Sequence, residues 1–262
     1  MSPSANSYVS SALDAGYSIL TYDRLGTGLS SKPDAYTHLQ GPLELEILRG
    51  LSELALSGTL LTHAKFCNTP SGVASALYNL KYSRLVHVGH SFGSILTSAL
   101  AATYPSLTST IVITGWLPSI HAGDVTQADF GLIYAGRPGY LKQGTLSATQ
   151  EIFFHIPFSS NLLSYAKEIQ APVGATETLS VQGLVQRSGA GFRGAVLYLL
   201  AEWDAAVCGG DCKGLYPAPL LEGLWPAATR REAYLVKGAG HGLVLHPSAL
   251  EGFKVMRNFI EG

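Results

Sequence analysis

The run Leu85-Val86-His87-Val88-Gly89-His90-Ser91-Phe92-Gly93-Ser94-Ile95-Leu96 leaves this chain little choice of local structure. A short apolar stretch ends in Gly-x-Ser-x-Gly, and alanines and leucines at helical spacing follow. Physically this reads as a buried strand, a very tight turn, then a helix. The turn predicts glycine on both flanks, because a Cβ at either place would collide with the neighbouring strand or helix. Ser91 then stands at the tip in a strained backbone region, its hydroxyl lifted clear above the first N–H groups of the helix. Those groups and the helix dipole favour an oxyanion beside the serine.

The remaining chain narrows the function classes. With 262 residues and 47% hydrophobic content, it can bury one sizeable core with a small inserted module. Charged residues are 13% and the formal net charge is −1, with no basic stripe, so nucleic acid is not an expected partner. The first residues show no signal-peptide pattern, and no apolar run approaches membrane-spanning length. Cys208 and Cys212 are close enough in Cys-Gly-Gly-Asp-Cys to bridge or to remain two loop thiols, and Cys67 has no obvious mate. No ligand spacing for a metal is visible.

Ser4 to Ala15 reads as a helix stopped by Gly16, and Tyr17 to Tyr22 as a strand leading into the glycine-punctuated loop Asp23 to Ser30. That loop lacks both phosphate-binding glycine spacings. Helices are predicted over Pro42–Leu56, Pro70–Leu80 and Ser94–Tyr104, and a strand over Thr110–Gly115. From Trp116 to Ala190 strand-like runs vanish and aromatics scatter, which predicts a helical lid between two halves of a core spanning 1–115 and 191–262. Strands resume at Ala195–Leu200 and Ala233–Val236, and a closing helix runs from Pro247 to Ile260.

Strands alternating with helices imply a doubly wound, mostly parallel α/β sheet whose site lies beyond the carboxyl ends of its strands. Ser91, Asp204 and His241 each follow such a strand end. A serine hydroxyl needs a base to take its proton, histidine titrates near neutrality, and a carboxylate on the other ring nitrogen fixes the tautomer. Glu202 and Asp211 compete with Asp204 for the acid role, and His246 with His241 for the base. His246 precedes Pro247 and is read as a supporting or structural residue. His87 and His90 read as packing residues around the turn, and His121 and His155 fall in the lid. The aromatics Trp116, Phe130, Tyr134, Phe154 and Trp203 are candidate substrate-binding residues, suited to an apolar, uncharged small molecule.

The segments beginning Asp23-Arg24-Leu25-Gly26-Thr27-Gly28, Gly89-His90-Ser91-Phe92-Gly93 and Gly238-Ala239-Gly240-His241-Gly242 resemble the α/β-hydrolase superfamily, most closely fungal AB-hydrolase-1 type proteins. The resemblance implies the α/β-hydrolase fold, Ser91 as nucleophile, Asp204 as acid, His241 as base and the Phe92 N–H as an oxyanion donor. It implies no cofactor, no metal, and cleavage of a carboxylic ester, lactone or thioester. It also implies three strands ahead of Tyr17–Tyr22 and a His-Gly loop carrying a second oxyanion N–H, none of which Met1–Ala15 can supply. The expectation is thus a chain lacking its N-terminal strands. Loss of one oxyanion donor costs about a hundred- to a thousandfold in turnover. Two other readings use the same residues: a ligand-binding relative without turnover, and a lyase or cyclase in natural-product metabolism.

Overall fold

The computed structural model describes residues 6–62, 64–65, 80–118, 130–185, 189–216 and 218–262. Its first half contains α1 (Tyr8–Asp14), α2 (Gly41–Ser57), β1 (Val86–His90), α3 (Phe92–Thr103) and β2 (Thr110–Thr114). The segment before the next core strand holds β3 (Leu132–Tyr134), β4 (Tyr140–Gln143), α4 (Leu146–Phe153), α5 (Ser160–Ile169), β5 (Val173–Gly174), α6 (Ala175–Ser180) and α7 (Gln182–Val185). The core closes with β6 (Ala195–Ala201), α8 (Ala205–Cys208), α9 (Ala218–Leu224), β7 (Arg230–Val236) and α10 (Ala249–Glu261).

Four strands pair in parallel in the order β1-β2-β6-β7. Side chains alternate across this sheet with period two. Ile111, Ile113, Val196 and Tyr198 enter one core with α2 and α3, while Val112, Leu197 and Leu199 enter a second against α10. A strand buried on both faces is rich in apolar and β-branched residues, which is why Thr110–Thr114 and Ala195–Ala201 are plain in the sequence. Gly58, with φ +79, ends α2 as a left-handed cap.

Three expectations need correction. Residues 17–22 form no strand: their neighbour across the gap is not a ladder but a cavity of about 590 Å3. Ile19, Leu20 and Tyr22 line one wall of it, Val86, His87 and Val88 another. A strand exists only where a second backbone answers its N–H and C=O groups, and among the described residues none does so here. The inserted segment is not purely helical, because β3, β4 and β5 pair antiparallel as a small separate sheet. Gly93 is not required by sterics, since an added Cβ there meets nothing within 4 Å. The predicted Pro70–Leu80 helix, Cys67 and His121 lie outside the described residues. Cys208 and Cys212 are bridged.

Candidate active site

The turn after β1 is built by steric exclusion on one side. A Cβ on Gly89 would lie 2.4 Å from the Gly93 carbonyl oxygen, so strand and helix approach this closely only through glycine. Ser91 has φ 53 and ψ −120, and it is the sole non-glycine residue with positive φ among the described residues. Such strain persists only where the surroundings enforce it. Here the Ser91 N–H donates to the Thr114 carbonyl at 2.9 Å. Buried Ser94 adds a second tie, its hydroxyl donating to that carbonyl at 2.7 Å and accepting from the Thr114 N–H at 2.9 Å. The end of β2 thereby pins the start of α3. The first N–H groups of α3, those of Phe92 and Gly93, have no intrahelical acceptor and lie beside the serine.

His241 arrives from the loop after β7. Its Nε2 lies 3.0 Å from Ser91 Oγ, and its Nδ1 lies 2.9 and 2.8 Å from the two oxygens of Asp204. Both His241 and Asp204 are almost wholly buried. Asp204 Oδ1 also accepts the Val207 N–H at 3.0 Å, so the carboxylate doubles as the N-cap of α8 and cannot swing away cheaply. The competing carboxylates are otherwise engaged. Glu202 accepts the Gly238 N–H at 2.8 Å, which holds its carboxyl below the usual range, and Asp211 accepts the Lys213 N–H at 3.0 Å.

The rival histidines separate equally clearly. His90 Nδ1 contacts Thr114 Oγ1 at 3.0 Å, its ring centroid 4.9 Å from that of His241. His87 Nε2 pairs with Ser52 Oγ at 2.9 Å. His246, fully buried, makes its ring hydrogen bonds to backbone groups.

The aromatic candidates are scattered. Trp116 is buried in the core, its carbonyl accepting from the Tyr216 hydroxyl at 3.1 Å. Phe130 is half-buried, and Tyr134 stands 60% exposed on β3. Phe154 packs on Phe158 and His246, while Trp203 stacks on His155 at 4.8 Å. The ring next to the base is instead Phe153, 5.3 Å from His241. Adjacent aromatics at a helix end point in different directions, and sequence offered no sign of which faced inward. Arg24 was also missed: it pairs with Glu177 of α6 and lies 4.5 Å over the Phe92 ring. Beside it, Glu44 is fully buried with no hydrogen-bond partner on either oxygen among the described residues. Desolvation pushes its carboxyl up to about 7 despite the opposing Arg24 charge.

This arrangement can take a proton from a hydroxyl, hold the resulting imidazolium, and present helix N–H groups to a developing anion. Comparison with known proteins agrees in shape. The family model described as "Alpha/beta hydrolase family" matches residues 3–252. No curated protein matches the sequence. A monoacylglycerol lipase from Paleococcus ferrophilus superposes with TM-score 0.65 at 15% identity, over 97% of this chain and 86% of that one. A bromoperoxidase from Bacillus anthracis gives TM-score 0.63 at 19% identity, over 100% and 88%. Tomato methylketone synthase I, solved with 2-tridecanone, gives 0.64 at 14% identity, over 97% and 91%. What these three share with the chain is a fold.

Proposed function

The chain belongs to the alpha/beta hydrolase family, and from that membership we propose that it is a serine hydrolase cleaving a carboxylic ester or lactone of an apolar small molecule. The observation that carries this reading is the unbroken hydrogen-bond chain from Ser91 Oγ through the His241 ring to Asp204. His241 Nε2 accepts the serine proton as Oγ attacks the substrate carbonyl carbon. Asp204 holds the Nδ1–H tautomer and offsets the imidazolium charge without taking the proton itself. The Phe92 N–H, backed by the dipole of α3, donates to the oxyanion of the tetrahedral intermediate. His241 then returns the proton to the leaving alcohol, and a water activated by the same imidazole releases the acid from Ser91.

The inserted segment 116–190 serves in this reading as a lid, with Phe153 beside the base. A second reading keeps the residues and changes the reaction. Helix N–H groups are the only oxyanion donors proposed, and a methylketone synthase shares the fold, so a lyase-type step with His241 as general base stays in competition. Product analysis separates the two.

Ser91→Ala tests the hydrolase reading. It is expected to lower p-nitrophenyl ester cleavage by about 10⁴-fold or more and to abolish fluorophosphonate labelling. Wild-type protein that labels no better than Ser91→Ala would overturn it.

A further inference from the structure

His246 has an environment unlike that of any other histidine among the described residues. It is 0% exposed, and three backbone groups address its ring. The N–H groups of His155 and Gly240 both donate to Nε2, at 3.0 and 3.1 Å. Nδ1 lies 3.0 Å from the Gly242 carbonyl oxygen. These partners settle the tautomer. Amide donors can only give, so Nε2 must be a bare acceptor; a carbonyl can only accept, so Nδ1 must carry the proton.

The three backbone groups belong to two places. Gly240 and Gly242 flank His241, and His155 follows α4 in the inserted segment. The two segments also touch backbone to backbone. Gly242 N–H donates to the Phe153 carbonyl at 2.8 Å, and a Cβ on Gly240 would sit 2.8 Å from the His155 nitrogen. Glycine on either side of His241 is therefore what lets the inserted segment dock on the loop. The joint reaches the acid as well, because the His155 ring stacks on Trp203, the residue before Asp204, at 4.8 Å and 17°.

We infer that His246 is a positioning residue that ties the His241 loop and residues 153–155 into one unit, so that the base and the lid keep their places or shift together. The inference rests on the hydrolase reading for the word "base" and on geometry for the coupling. Displacing the lid end of α4 would drag the Gly240 and Gly242 peptides, and with them the His241 ring, out of line with Ser91. A misplacement of about 1 Å costs on the order of a hundredfold in rate.

Protonation of His246 would break the unit, because an Nε2–H would confront two N–H donors. Burial holds the group below the ordinary histidine value of 6.5 against the opposing hydrogen bonds to the Gly242 and His155 backbone; among the described residues His155 is the titratable side chain acting on it, and its charge lowers the value slightly further. A folded state that resists protonation binds fewer protons than the unfolded chain. The contribution of the joint is thus complete above about 6.5 and declines as the pH falls below it.

The test compares His246→Gln and His246→Phe with the wild type as full chains. Turnover of a p-nitrophenyl ester is normalised to sites titrated with a fluorophosphonate, and amide exchange is followed at residues 155 and 240. Glutamine keeps an acceptor near the Nε2 position and should retain most of kcat, while the acid limb of its pH profile should be less steep than that of the wild type. Phenylalanine should lower kcat per titrated site by about ten- to a hundredfold with little change in KM. Both amides should lose protection together. A merely structural role would lower Tm and leave kcat per site untouched. Unchanged kcat per site in His246→Phe, or amides 155 and 240 exchanging independently, would overturn the inference. Should His246→Phe fail to fold, an acid limb in His246→Gln identical to the wild type would do the same. Amide exchange needs no turnover, so a failed Ser91→Ala test would sink the hydrolase reading and leave the coupling to stand or fall on its own.

Discussion

The two flanks of β1 differ sharply. On the side of β2, β6 and β7 the polar groups beyond the strand ends are answered among the described residues: Ser91 by Thr114 and His241, Asp204 by His241 and Val207, and His246 by three backbone groups. On the other side lies the cavity, with residues 17–22 beyond it. The difference teaches that the hydrogen-bond chain Ser91–His241–Asp204 is carried, among the described residues, by strand ends on one side of β1. It is set by short-range ties between β1, β2, β6 and β7, and does not wait on a neighbour for the outer flank.

The largest expected effect lies at the tied end. Asp204→Asn should lower kcat by about 10⁴-fold, because an amide that donates to His241 favours the wrong tautomer. The helix N-cap survives in asparagine, so Tm should move little, and thermal melts beside kinetics check both halves. A loss of activity matched by loss of folding would remove the contrast between the flanks.

Next in size is Glu44, on the α2 side. A carboxyl raised from 4.5 to about 7 is protonated more readily folded than unfolded, so its contribution is intact below about 4.5 and lost as the pH rises through about 7. Glu44→Gln should therefore gain about 1–3 kcal/mol relative to wild type at pH 8 and little at pH 4. Tm measured across pH checks it, and an equal gain at both ends would show that Glu44 is not the titrating group.

The smallest effect sharpens the comparison within one ladder. Val88 and Val112 are paired in register, yet Val88 is 37% exposed and Val112 fully buried. A buried unpaired hydroxyl costs about 1–3 kcal/mol, so Val112→Thr should cost that much. Val88→Thr should stay within about 0.5 kcal/mol. Equal losses in urea melts would mean that the outer flank is as dry as the inner one.

The strongest elements were legible because local and long-range demands coincide in them. The β-branched Thr110–Thr114 and apolar Ala195–Ala201 strands, the helix stop at Gly58 and the Gly89-His90-Ser91 turn are written in residue type and spacing alone. Tyr17–Tyr22 has the same strand-like composition, but a ladder is a property of two segments and only one was visible. Leu132–Tyr134 and Val173–Gly174 are too short for any periodicity to announce them. Within the site, Ser91, Asp204 and His241 could be placed by their position after strand ends. The part played by His246 could not, since its partners are backbone groups that carry no side-chain signature. Nor could composition tell Phe153 from Phe154.

The sheet's outer borders are finished in unlike ways. β7 begins with Arg230, Arg231 and Glu232, charges that discourage a foreign chain from settling alongside. Among the described residues β1 presents Val86, His87, Val88 and Gly89 to the cavity walled by residues 17–22, a row of amide and carbonyl groups with no such charges. Self-association during handling is expected to start from that border, however well the end bearing Ser91 is assembled.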